Sequence, residues 1–252
     1  MSFRLKNACQ IHAMCVLTSL VLFALLFPCT GVAGSFSVNP VRIDLSESVL
    51  NAVIHVENSS GTSVTIQLTT MLWSQENNKD QLRPTREIIS TPQIFKLKPG
   101  ATQLVRVGTL RKPDNEKELT YRLLLEEIPP LPPPDFKGLQ VALKISMPIF
   151  FKPAKDAREK LQIAFTRDSE RGLNLSMLNF GNGVAQLSGI RLYDEAAPDT
   201  LLVSYPNTVY VLPGQRHELS LRTIGSGFGE KILIRAVMRG VPVEFYAVSS
   251  AP

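Results

Sequence analysis

The chain has 252 residues, with 27 Lys and Arg against 22 Asp and Glu, long enough for two cores of ordinary domain size. A net charge of +5 without a dense Lys/Arg run excludes a nucleic-acid footprint. All three cysteines (Cys9, Cys15, Cys29) precede the rest of the chain, which excludes a disulfide framework beyond them.

In chain order, Arg4 and Lys6 open a basic segment, an apolar run spans about 14–27, and Gly31-Val32-Ala33 follows. This is the pattern of a secretory signal cleaved near Ala33. The run is short for a transmembrane helix. Phe27 and Pro28 stand where a lipid-attachment site at Cys29 would need small residues. Taking residues 1–33 as removed leaves 252 − 33 = 219 residues, a charge of +3 and no cysteine. No second apolar run is long enough to span a bilayer, so direct membrane insertion is not expected.

Beyond residue 33 the pattern is short alternating segments broken by Gly, Pro, Asn and Asp, the pattern of β-sandwiches. Phe36 and Val38 share one parity, and Val41, Ile43 and Leu45 the other. The switch at Asn39-Pro40 predicts a kink at which the chain changes face or sheet. Strands are predicted near 49–57 and 63–74, then a polar excursion at 75–87, then two strands around Lys98-Pro99-Gly100. The segment 118–128 leads into a stiff, extended proline run, Pro129-Pro130-Leu131-Pro132-Pro133-Pro134, placed to prevent a tight hairpin.

The next stretch organises the rest. From 138 to 151 every odd position is apolar: Leu139, Val141, Leu143, Ile145, Met147, Ile149 and Phe151. A period-2 pattern this long exceeds the usual strand of about 5–6 residues. It reads either as one long core strand bent at Pro148 or as a strand partly lent to another protein. After Lys152-Pro153-Ala154-Lys155 come strands near 161–165, 173–178, 190–194, 208–212, 218–223, 231–237 and 243–248, with turn residues at 179–183, 194–199 and 225–229. Pro99-Gly100 before Val105 and Val107 is echoed by Pro213-Gly214 before Leu219 and Leu221. The expected architecture is all-β: two immunoglobulin-like β-sandwich domains, 34–153 and 154–252.

Catalysis finds little support. His55 and His217 have no metal-ligand spacing, and no GxSxG elbow or P-loop occurs. Gly225-Ser226-Gly227-Phe228-Gly229 leads into a strand pattern rather than a helix. Glu126 and Glu127 are adjacent and point to opposite faces of a strand. No enzyme activity, cofactor or metal is expected. Trp73, the single tryptophan, is assigned to the core.

Four motifs occur in order: Asn39-Pro40-Val41-Arg42; Leu97-Lys98-Pro99-Gly100-Ala101 with Val105-Arg106; Tyr121 through Pro130; and Leu139 through Leu143 with Phe150-Phe151-Lys152-Pro153. Together they resemble the PapD-like periplasmic pilus chaperones of the chaperone–usher pathway. The likeness is specific in the first domain and rests on size and strand pattern in the second. It implies a boomerang arrangement of the two domains, a periplasmic location, and fimbrial subunits and an outer-membrane usher as partners. The long strand would complete a subunit's missing strand, with Leu139, Val141 and Leu143 as donors and Ile145 and Met147 continuing the row. Ile149 and Phe151 would fill the chaperone's own core.

Burying five such side chains would contribute roughly 7–15 kcal/mol before association costs. Left exposed they would be a sticky edge, so self-association or shielding by the proline loop is expected. For the subunit's C-terminal carboxylate, Arg42 matches the family's arginine. The family's lysine position holds Pro148; Lys144, four residues earlier on the same face, is the substitute, with Arg106 as competitor. That departure, with Ser146-Met147-Pro148, is similar to the archaic branch. Glu118 and Lys152 match a pair near the family's domain junction. The competing reading is an exported immunoglobulin-like adhesive or structural binding module.

Overall fold

The computed structural model describes residues 36–167, 171–224 and 229–249. The expected signal segment, 1–33, lies outside the described residues, as do residues 225–228 of the glycine-rich stretch. Every regular element among the described residues is a β-strand. The first sandwich is built from β1 (Phe36–Asn39), β2 (Ile43–Leu45), β3 (Asn51–Asn58), β4 (Val64–Glu76), β5 (Lys79–Pro84), β6 (Ile88–Thr91), β7 (Ile94–Leu97), β8 (Thr102–Thr109), β9 (Leu119–Ile128) and β10 (Lys144–Phe151). One sheet runs β1-β3-β8-β6; the other runs β2-β10-β9-β4-β5, with β7 also paired to β4. Between them lies a core that includes Ile54, Val56, Ile66, Val105, Val107, Leu123 and Leu125. These residues alternate with outward-facing ones along each strand, which is the physical content of the period-2 pattern.

The second sandwich comprises β11 (Leu161–Arg167), β12 (Gly172–Asn179), β13 (Ala185–Asp194), β14 (Ala197–Tyr205), β15 (Val209–Val211), β16 (Arg216–Arg222), β17 (Lys231–Met238) and β18 (Val241–Ser249). They form one sheet, β14-β13-β17-β18-β11-β12-β16, with β15 paired to β13. Its separate core includes Phe165, Leu175, Met177, Leu192, Ile232 and Ile234.

The chain changes sheet between β1 and β2, as the parity switch at Asn39-Pro40 predicts. Three local expectations are corrected. The stretch 75–87 is not wholly irregular: β5 returns along β4 through Asn77 and Asn78, whose φ of 50° and 61° suit a two-residue hairpin turn. The strands flanking Pro99-Gly100 do not pair with each other, since β7 joins β4 while β8 joins β3 and β6. The proposed turn at 194–199 is shorter, because β14 begins at Ala197 and pairs back along β13.

The Pro-Gly echo is a repeated structural corner. Asn58 and Asn179 end β3 and β12 and are buried. Asn58 Nδ2 donates to the Thr62 and Leu97 carbonyls, and its Oδ1 accepts from the Ser60 N–H. Asn179 Nδ2 donates to the Gly183 and Val211 carbonyls, and its Oδ1 accepts from the Gly181 N–H. Gly100 and Gly214 follow at φ of 70° and 74°, each donating its N–H to the carbonyl of the asparagine. A positive φ of this kind favours glycine. Removing either amide leaves buried carbonyls and an N–H unpaired. Asn58→Ala and Asn179→Ala should therefore each destabilise the protein by about 1–3 kcal/mol. Urea unfolding checks this against Ser59→Ala, an exposed neighbour expected to change stability by less than about 0.5 kcal/mol.

Candidate functional site

β9 pairs antiparallel with β10 from Glu126 opposite Lys144 to Leu119 opposite Phe151. Past Ile128 the chain reads Pro129-Pro130, which have no N–H to give a ladder, so β9 stops there. The last main-chain bond between the two runs from the Glu127 N–H to the Leu143 carbonyl, at 2.9 Å. The strand expected over 138–151 is therefore confined to Lys144–Phe151, and residues 139–143 precede it outside any sheet.

Along the odd row, exposure falls in steps. Leu139 is 86% and Val141 75% exposed, Leu143 and Ile145 are partly buried against the first core, and Met147, Ile149 and Phe151 are inside it. Met147, expected among the donor positions, is corrected to the interior: at 1% exposure it belongs with the core residues after it. The proline loop does not shield the start of the row, since Leu131 at 95% and Phe136 at 49% are themselves exposed.

The even face of β10 looks the other way. Phe150 packs with Trp73, Val184 and Leu212, joining the two sandwiches, and Tyr210 packs against this cluster. Trp73 is thus buried at the junction rather than in the first core. Its ring meets Tyr210 edge-on at 5.3 Å.

Cross-strand register puts Arg122 of β9 directly opposite Pro148, and directly opposed residues share a face. On the other side β2 runs parallel, with Ile43 beside Ile149, so Arg42 stands one residue earlier, next to Pro148. The position expected to hold a lysine is thus a proline flanked by two arginines. The Arg122 guanidinium lies 3.7 Å above the Trp73 ring and 5.2 Å from that of Tyr210. Its Nη2 is 3.9 Å from Asp80 Oδ2. Burial lowers its pKa, and Asp80 and Tyr210 oppose that shift. Arg42 sits 4.6 Å over the Phe150 ring, donating Nε and Nη2 to Asp44 at 2.8 and 2.5 Å and Nη1 to Gln186 Oε1 at 2.5 Å. Burial raises the Tyr210 pKa, and the charges of Arg122 and Arg42 oppose that shift.

The other two candidate anchors are not brought here. Lys144 pairs with Glu126 at the exposed start of β10, four residues or about 13 Å of strand from Pro148. Arg106 is on the exposed face of β8, in the opposite sheet. Arg122 was missed in the sequence because which residue opposes Pro148 is a matter of register. Its one signal was parity: with Tyr121, Leu123 and Leu125 inward, it had to face outward.

The junction is also corrected. Glu118, buried, takes Arg239 rather than Lys152 as its ion-pair partner, at 2.5 Å, and accepts the Val184 N–H at 2.7 Å. Arg239 also reaches Glu159 at 2.6 Å. His55 lies exposed on β3, and His217 half-buried on β16, where burial lowers its pKa against the raising effect of Asp80 and Glu218. Among the described residues no three His, Cys, Asp or Glu side chains gather to hold a metal.

Residues 35–157 match the family model described as pili and flagellar-assembly chaperone, PapD N-terminal domain. The chaperone protein PapD of Escherichia coli is 26% identical over 132 residues, 51% of this chain. That match spans 53% of PapD, about half its length. Among solved structures, one similar chain belongs to a CsuC–CsuE chaperone–tip adhesion subunit pre-assembly complex from archaic chaperone-usher Csu pili of Acinetobacter baumannii. It has a TM-score of 0.65 and 19% identity, covering 86% of this chain and 100% of that one. Another comes from the Salmonella enterica SafA pilin in complex with the SafB chaperone, with a TM-score of 0.60 and 14% identity, covering 87% and 98%. These likenesses establish the fold as two immunoglobulin-like β-sandwich domains. Residues 35–157 are similar to the N-terminal domain of the PapD-like pilus-assembly chaperones.

Proposed function

We propose that this protein is a periplasmic chaperone that holds pilus or fimbrial subunits by lending them a strand and delivers them to an outer-membrane usher. In this reading residues 1–33 are a cleaved export signal, 34–153 the strand-donating domain and 154–252 the second domain. The protein acts by binding, with no catalytic step and no cofactor.

The observation that carries the proposal is the unpaired run before β10. Leu139 and Val141 lie exposed, in phase with apolar side chains that continue into the chaperone's core. A subunit lacking one strand can pair its main chain with 139–142 and cover the alternate side chains. Leu139, Val141, Leu143 and Ile145 are then the donors, each contributing about 1.5–3 kcal/mol when fully buried. Leu143 and Ile145 contribute less, being already partly buried.

The subunit's C-terminal carboxylate is assigned to the arginine pair beside Pro148. Arg42 uses three of its five N–H donors in the described contacts, leaving two for a guest. Arg122 presents its charge from an aromatic stack. A carboxylate between two guanidinium groups gains charge-assisted, directional bonds. It would stand beside the edge where β10 carries the donor row.

Val141→Asp should abolish retention of a co-expressed pilus subunit in periplasmic extract while leaving the chaperone's thermal unfolding unchanged, because the site is exposed. Unchanged subunit yield would rule out strand lending. For the anchor, Arg42→Ala and Arg122→Ala should each weaken subunit binding by about 2–5 kcal/mol, measured by calorimetry. Lys144→Ala should cost no more than about 1 kcal/mol, since its charge is exposed, paired and remote. A larger loss at Lys144 than at Arg122 would move the anchor back along the strand.

A further inference from the structure

The β4–β5 hairpin extends beyond the first sandwich and touches the second. Gln75 Nε2 donates to the Tyr210 carbonyl at 2.9 Å, and Gln75 Oε1 accepts the Leu212 N–H at 3.0 Å. Three residues on, Asn78 Nδ2 donates to the Glu218 carbonyl at 3.0 Å, and its Oδ1 accepts the Glu218 N–H at 2.8 Å. Two neutral amides thus each give and take one bond with foreign backbone, standing in for the strand neighbour that β15 and β16 lack on that side. A third bond from Gln75 Nε2 to Asp80 Oδ1, at 3.0 Å, ties the hairpin's two strands together.

Position gives these contacts leverage. The covalent connection between the sandwiches leaves from β10, while Gln75 on β4 and Asn78 in the β4–β5 turn stand two to three strands, about 9–14 Å, to the side. The Glu118–Arg239 pair lies by the connection, where Lys155 also meets Glu116. The apolar cluster of Trp73, Phe150, Val184 and Leu212 already joins the sandwiches, and directional bonds to its outer side oppose rotation about it. The backbone seized by Gln75 belongs to Tyr210, whose ring packs on Trp73 and under Arg122.

We propose that the β4–β5 hairpin is a clasp between the two sandwiches, with Gln75 and Asn78 as positioning residues that fix the Tyr210 wall of the arginine cleft. This rests on the carboxylate reading of that cleft for its consequence, but not for its existence. With the clasp closed, Arg42 and Arg122 hold their spacing before any guest arrives, and the ordering cost of binding is reduced. If the unclasped protein kept that spacing a tenth of the time, apparent affinity would fall about tenfold.

The test uses Gln75→Ala with Asn78→Gly, glycine being chosen because residue 78 has a φ of 61° and alanine would add strain. Spin labels go on Thr102→Cys and Asp199→Cys, exposed sites on opposite sandwiches in a chain without cysteine after residue 29. The parent should give one narrow interdomain distance distribution by double electron–electron resonance, and the double variant a broadened one, with near-unchanged circular dichroism and melting. A distribution as narrow as the parent's overturns the clasp. Binding of a fluorescent alternating apolar peptide ending in a free carboxylate, compared with its amidated form, reads the consequence. The double variant should lose about tenfold in affinity for the carboxylate form only; a broadened distribution with undiminished carboxylate preference overturns the positioning role. Arg42→Ala with Arg122→Ala should abolish the carboxylate preference. Retention of that preference would refute the anchor reading while leaving the clasp standing.

Discussion

Main-chain hydrogen bonding along β10 is the constraint on which the rest of the molecule depends. Each N–H and C=O of a strand must find a partner, and β9 supplies them only as far as the bond from Glu127 to Leu143. Two consecutive prolines then end the supply, because neither carries a donor. The chain before β10 keeps its alternating apolar side chains but loses the neighbour that would have covered them. Exposure rises from 1% at Met147 to 75% at Val141 and 86% at Leu139. An apolar row that begins in a core and runs out into solvent is the feature on which the proposed strand donation rests.

The opposite face of the same strand carries the electrostatics. Lining up Arg42, Pro148 and Arg122 across three strands concentrates two positive charges beside a residue that has no charge and no N–H of its own. Burying Arg122 would be costly without compensation, and the compensation is visible: the Trp73 ring lies 3.7 Å away and Asp80 within 3.9 Å. Phe150 fills the space between this face and the second sandwich, so the aromatic cluster that joins the domains lies directly beneath Arg42 and Arg122. In the proposed reading, joining and recognition are coupled through a few side chains on one strand and its neighbours.

The two sandwiches use the same device at their corners. A buried asparagine at the end of β3 or β12, a proline–glycine turn at positive φ, and the same offsets of donors and acceptors recur in both. Between them, polar contacts do what no disulfide is present to do: Arg239 with Glu118 and Glu159 near the connection, Gln75 and Asn78 at the far edge. Each sandwich has its own apolar core, so these contacts set relative placement more than they set folding.

Period-2 patterning, turn residues and the Pro-Gly echo were enough to read an all-β chain with two sandwiches and to find most strands. That information is local: an apolar residue at every second position specifies a face whatever lies opposite it. The odd row from 139 to 151 was legible for the same reason, as was Arg42 through its motif. Pairing was not. β5 has no alternation to announce it, Arg122 becomes a neighbour of Pro148 only through the register of β9 on β10, and Arg239 reaches Glu118 across 121 positions of sequence. How far along the row burial extends, and which cations meet beside Pro148, were decided by tertiary structure, because both depend on where a partner strand ends and not on the residues of the strand itself.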